Sequence, residues 1–164
     1  MLSRREWLVR ALSGTAASLA VGALIPDRLH ALAASTAAPD PANKVVIYKS
    51  PTCGCCHMWM KAMEAAGFTF VVHDMGDVTP MKTSLGVPSK LQSCHTAILG
   101  SYILEGHVPV DLVKKLQREK PAIVGLAVPG MPSGSTGMEM GGAKDKYDVV
   151  AWDKQGKTRV YASR

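Results

Sequence analysis

The chain has 164 residues, of which 47% are hydrophobic, 20% charged and 5% aromatic, with a formal net charge of +6. That length supports one domain with its own core rather than two, and the composition excludes a disordered or collagen-like chain; four cysteines are too few for a disulfide-dense scaffold. The positive charge is spread without a long basic run or an aromatic-interleaved stripe, which argues against nucleic acid as a partner.

Residues 1–33 have the pattern of an export leader. Arg4-Arg5 precede a soft apolar stretch, Ala11 to Ile25, too short to span a membrane as a helix, and Ala31-Leu32-Ala33 offers a small-residue cleavage site. The pattern resembles a twin-arginine signal, with Trp7 where Phe is usual and Val9 where Lys is usual. Its removal takes away four basic and two acidic residues and leaves a charge of +4. The expected location is the periplasm, with no stable membrane insertion after cleavage; an uncleaved N-terminal anchor is the alternative. Residues 34–43 read as a flexible linker, and residues 44–164 as the folded domain.

Val45 to Tyr48 is apolar on both faces and reads as a buried strand closed by Ser50-Pro51. A helix is expected next, with Thr52 as its cap, Met58, Trp59, Met60, Ala62, Met63 and Ala66 on its apolar face, and Gly67 at its end. Phe68 to Val72 is the next expected strand, and two strands around one helix predict a parallel βαβ unit. Val78 to Leu85 reads as a short helix. Thr96 to Leu99 and Tyr102 to Glu105 form a hairpin about Gly100-Ser101. Pro109 opens a helix carrying Val110, Val113, Leu116 and Gln117. From Pro121 onward Gly and Pro residues, Gly125 among them, predict a long loop without regular structure, carrying Met131, Met138 and Met140. Tyr147 to Trp152 and Thr158 to Ala162 predict a C-terminal β-hairpin. This order is that of an α/β, thioredoxin-like sandwich.

Cys53-Gly54-Cys55-Cys56 stands where the first helix begins. Unpaired N–H groups and the macrodipole at a helix N-terminus favour thiolate over thiol, so these sulfurs are expected to be acidic, nucleophilic and good metal donors. A dithiol redox centre needs two thiols; the third, Cys55, favours a metal site with bridging thiolates. In a thioredoxin-like fold the loop entering the hairpin strand faces this turn, often with a proline. Here Cys94-His95 stands there, so Cys94 is expected to join the other three sulfurs, with His95 as a further donor. Met60 and Met63 read as core filler. The loop methionines are soft ligands suited to Cu(I). His57 adjoins the thiols and is a weaker candidate; His73 and His107 carry no distinguishing signal. Sulfur-rich ligation admits zinc, iron–sulfur clusters and Cu(I), and the expected oxidising compartment favours copper over the others.

At this point the chain resembles the small periplasmic copper-resistance proteins of the CopG type, long catalogued as a metal-binding domain of unknown function. The resemblance rests on Val45-Val46-Ile47-Tyr48-Lys49-Ser50-Pro51-Thr52-Cys53-Gly54-Cys55-Cys56, Ser93-Cys94-His95-Thr96, Glu105-Gly106-His107-Val108-Pro109, Val128-Pro129-Gly130-Met131-Pro132 and Gly137-Met138-Glu139. It covers residues 44 to about 162 and implies a thioredoxin-like fold with a cysteine-bridged, redox-active cluster of several copper ions. Carried over by position, the thiolate ligands are Cys53, Cys55, Cys56 and Cys94, with His95 and the Met138 loop as weaker ones. Sequestration, Cu(I)/Cu(II) conversion by a copper-dependent oxidoreductase, and delivery to an efflux or carrier protein all remain open. Two rivals stand beside it: a thiol–disulfide oxidoreductase with Cys53 as nucleophile and Cys56 as resolving thiol, and a structural four-thiolate zinc module.

Overall fold

A computed structural model describes residues 40–139 and 141–164; the expected leader, His30 and Met140 lie outside the described residues. The elements are β1 (Lys44–Lys49), α1 (Gly54–Ala65), β2 (Thr69–Asp74), α2 (Thr79–Ser84), β3 (His95–Leu99), β4 (Tyr102–Gly106), α3 (Val110–Glu119), β5 (Gly125–Val128), β6 (Asp148–Trp152) and β7 (Thr158–Ser163). One mixed sheet runs in the order β2-β1-β3-β4-β5-β6-β7. The pairs β1–β2 and β4–β5 are parallel and the remaining four antiparallel. The mixed α/β class, the parallel βαβ start, the central hairpin and the C-terminal hairpin agree with the sequence reading.

Side-chain alternation along the strands makes two faces. Val45, Ile47, Ala97, Leu99 and Leu104 face the helices α1 and α3, which contribute Trp59, Met60, Met63, Leu112, Val113 and Leu116. Met60 and Met63 are core residues, as their helical spacing predicts. On the other face Ile103, Ala127 and Trp152 pack against Val87 and Leu91, from the segment after α2. Among the described residues no helix is long and apolar enough to cross a membrane.

Helix α1 ends as its sequence predicts. Gly67 takes a φ of +95°, its N–H donates to the Glu64 carbonyl, and the Phe68 N–H reaches back to Met63, which closes the last turn with a glycine in the left-handed region. Its start differs: the cap position is Cys53, with no side-chain capping bond. The Thr52 hydroxyl is engaged with Ser50 Oγ at 3.1 Å instead, because the Ser50-Pro51 turn folds Thr52 back on Ser50.

The expected break at Gly125 is the main correction. Gly125 begins β5, between β4 and β6, and the long loop follows at residues 129–147. A Cβ on Gly125 would collide with the Ile103 carbonyl oxygen and with the Trp152 ring. Glycine is present there for close backbone approach within the sheet rather than for chain breaking. Gly125→Ala is therefore expected to destabilise the protein by about 1–3 kcal/mol through overpacking, seen as a lowered urea midpoint; an unchanged midpoint would show that Trp152 yields freely.

Candidate metal centre

Strand register sets the site. The last β1–β3 pair is Lys49 with His95, so the chain leaving β1 towards α1 and the chain entering β3 meet at one end of the sheet. The Sγ atoms of Cys53, Cys55, Cys56 and Cys94 all lie within 4.8 Å of one another. The one distant cysteine thus meets the clustered three. Within the group Cys53 and Cys56 form a disulfide, with Cα atoms 5.4 Å apart, while Cys55 and Cys94 are free thiols. Cys53 Sγ and Cys55 Sγ are 3.6 Å apart.

Cys94 belongs to a second donor group with His95 and His107, again within 4.8 Å. The hairpin explains it: β3 and β4 pair Thr96 with Glu105, and two more steps of the same register place Cys94 opposite His107. Cys94 Sγ lies 3.1 Å from His107 Nε2 and 3.3 Å from His95 Nδ1. His107 Nδ1 is 2.7 Å from the Thr136 carbonyl. A carbonyl only accepts, so Nδ1 carries the proton and Nε2 turns its lone pair towards the sulfur. A ring fixed through one nitrogen to a carbonyl, with the other directed at the donor group, is how metal-ligating histidines are commonly held. His95 Nε2 is buried without a hydrogen-bond partner among the described residues, and its ring lies 4.6 Å from that of Trp59. His107 carries no signal by residue type; its place opposite Cys94 follows only from counting outwards from the Gly100-Ser101 turn.

Met138 is half-buried in the long loop, and Met131 is exposed. The loop lies directly on α1: a Cβ on Gly137 would come within 2.6 Å of the Trp59 backbone nitrogen. The Thr136 carbonyl that fixes His107 comes from the same loop. His57 is exposed and belongs to neither donor group, and His73 stacks on Tyr48 with ring centroids 5.0 Å apart.

Burial is the main influence on the charges. It pushes the Cys94 thiol up to about 12, reinforced by the neighbouring Cys55 sulfur and opposed by Ser93 and Lys82. Burial also holds His95 well below its ordinary 6.5, with the charges of His107, Lys82 and Lys49 adding to it. His107 is lowered by burial, against the contrary effects of Thr136 and Glu139. Without metal the centre is thus a neutral thiol donating to a neutral imidazole, and a cation entering it must displace the Cys94 proton.

The fold and site define a small mixed α/β protein in which soft sulfur and imidazole donors that could hold a metal ion converge at one end of the sheet. Two solved structures of a copper resistance protein CopG, form 2 and form 1, are similar to it at 42% and 43% identity. Each covers 74% of this chain, the chain covers 97% and 96% of them, and the TM-score is 0.70 for both. The family model described as a protein of unknown function, DUF411, matches residues 91–138, and no curated protein matches. The chain belongs to the CopG copper-resistance family.

The metal-free protein is expected to lose stability as the pH falls below 6.5, the ordinary histidine value. Unfolded imidazoles take up protons there while His95 resists, so the unfolded state binds more protons and acid favours it. Denaturation midpoints measured between about pH 8 and about pH 5 test this; a flat profile would mean that the buried rings protonate in place.

Proposed function

We propose that this chain is a periplasmic copper-binding protein of copper resistance, which holds Cu(I) in a thiolate-bridged site of several ions. The observation that carries the reading is the convergence of four sulfur donors within 4.8 Å. Such a set suits a soft monovalent cation, and the solved relatives bear copper resistance in their names. The ligands are Cys53, Cys55, Cys56 and Cys94, with His95, His107 and the Met138 loop completing the shell. For all four sulfurs to bind, the Cys53–Cys56 disulfide must first take two electrons from a reductant. The leader at residues 1–33 with its Arg4-Arg5 pair supports export, and a linker over 34–43 would join it to the domain at 44–164. The strand order β2-β1-β3-β4, with β3 antiparallel to β1, supports a thioredoxin-like core. An efflux or carrier protein is the partner such a role calls for.

Anaerobic titration of the reduced protein with Cu(I) is expected to reach several ions per chain, and Cys→Ser changes at positions 53, 55, 56 and 94 should each lower that number. A single ion, or none, would overturn the multi-copper site.

The disulfide favours a second reading, a thiol–disulfide oxidoreductase acting through Cys53 and Cys56. It is expected to show reductase activity on a model disulfide without copper, abolished by Cys53→Ser and kept by Cys94→Ser. Activity that needs copper, or that falls with Cys94→Ser, would exclude it in favour of the metal centre.

A further inference from the structure

We infer that Glu105, paired with Lys82, is a positioning residue of the metal centre: its carboxylate clamps both ends of Ser93-Cys94-His95-Thr96 and so fixes where the Cys94 sulfur meets the other donors. The inference rests on the metal-binding reading above.

Glu105 is fully buried in β4 and Lys82 is 3% exposed in α2. A buried carboxylate is tolerated only where donors and an opposite charge surround it, and here they do. Glu105 Oε1 accepts from Lys82 Nζ at 2.6 Å and from the Ser93 backbone N–H at 2.6 Å. Glu105 Oε2 accepts from the Thr96 hydroxyl at 2.6 Å, and that hydroxyl itself accepts from Lys82 Nζ at 3.0 Å. The two residues held, Ser93 and Thr96, bracket Cys94 and His95. One carboxylate therefore ties down the entry and the exit of the segment that carries the distant sulfur.

The next two residues of β4 continue the contact. Gly106 has a φ of +67°, and a Cβ there would come within 2.7 Å of Ser93 Cβ and of the Val128 carbonyl oxygen. His107 then meets Cys94. Glu105-Gly106-His107 thus grips Ser93-Cys94-His95 by a charged hydrogen bond, by close packing and by a ring nitrogen. Of Glu105, Gly106 and His107 only His107 belongs to a donor set, so the role of Glu105 is exercised through Cys94. Outer partners of this kind change metal affinity by about 10–100-fold when removed.

Stability and positioning can be separated, because replacing a buried ion pair wholly by apolar residues is often neutral for stability, whereas removing one partner strands the other charge. The test uses the reduced full chain and the triple variant Lys82→Met/Thr96→Val/Glu105→Leu, with Gly125→Ala as a control that loosens the sheet without touching the clamp. Cu(I) affinity is read by competition with a chromophoric chelator. Geometry is read without metal, from nuclear Overhauser contacts between the Cys94 β protons and the His107 ring. The triple variant is expected to unfold cooperatively, to lose those contacts and to bind Cu(I) about 10–100-fold more weakly, while the control keeps both properties. Should the triple variant fail to fold, Glu105→Gln decides: its amide nitrogen cannot accept from Thr96, so a smaller loss in the same direction is expected. A folded variant that keeps the Cys94–His107 contacts overturns the clamp. If the parent protein takes up no Cu(I), the metal reading fails, and the clamp is still judged by the contacts alone.

Discussion

The antiparallel pairing of β1 with β3 is the constraint on which the centre depends. Its last pair joins Lys49 to His95, and one further step sets Cys94 against Ser50, at the start of the turn that carries Cys53. A chain that leaves β1 to form α1 and returns as the parallel strand β2 must begin its helix at the C-terminal end of β1. The helix N-terminus, with its cysteines, is therefore fixed at the sheet end where β3 begins. The short β3–β4 hairpin then returns the chain to the same end, which delivers His107. Three chain segments meet because of two registers, and a slip of one residue in either would turn the facing side chains to opposite sides of the sheet.

Much of this could be read from residue types. The apolar run at Val45, the Gly67 stop and the Gly100-Ser101 turn are local signals, and local signals place elements well. The cysteine cluster was equally plain, since three thiols in four residues have few other uses. Cys94 is legible as their partner only through the expected fold; the other features that depend on a neighbour distant in sequence are not legible. Gly125 has the composition of a breaker but is required by the Ile103 carbonyl oxygen and the Trp152 ring against it. Thr52 has the chemistry of a cap, yet Ser50 occupies its hydroxyl. His107 looked ordinary because its meaning lies in being opposite Cys94, a fact of pairing rather than of type. Lys82 and Glu105 would pass for solvated charges in any window of sequence; only the folded sheet shows them buried together.

The charges around the centre favour anionic sulfur over cationic imidazole. Two lysines are buried near it: Lys49, held by the Asp74 carboxylate at 2.7 Å, and Lys82, held by Glu105 at 2.6 Å. Both disfavour a proton on His95, and Lys82 opposes the burial that keeps Cys94 protonated. Burial and fixed charge thus act together on the histidine and against each other on the thiol. Left alone, the thiol keeps its proton, because desolvation of a lone thiolate outweighs a lysine already paired with Glu105. A soft cation held at the proposed site would supply what the lysine cannot, and proton release and metal capture would then be one event.

The disulfide and a four-sulfur metal site compete for the same two atoms, Cys53 Sγ and Cys56 Sγ. Whatever binds only the reduced form stabilises it by mass action, and the stabilisation grows with the logarithm of ligand concentration over its dissociation constant. For a two-electron couple, each tenfold excess of one tightly bound ion raises the reduction potential by about 30 mV. Several ions bound together would add their effects. On the metal-binding reading proposed above, such a centre would be coupled to two supplies at once, electrons and soft metal, and the abundance of either would change its affinity for the other. Cys55 and Cys94 are not consumed by the disulfide, so two sulfurs remain open to a first ion even in the oxidised state, with the His107 nitrogen 3.1 Å from one of them. On the same reading, entry of a first ion would not have to wait for reduction, whereas completion of a four-sulfur site would.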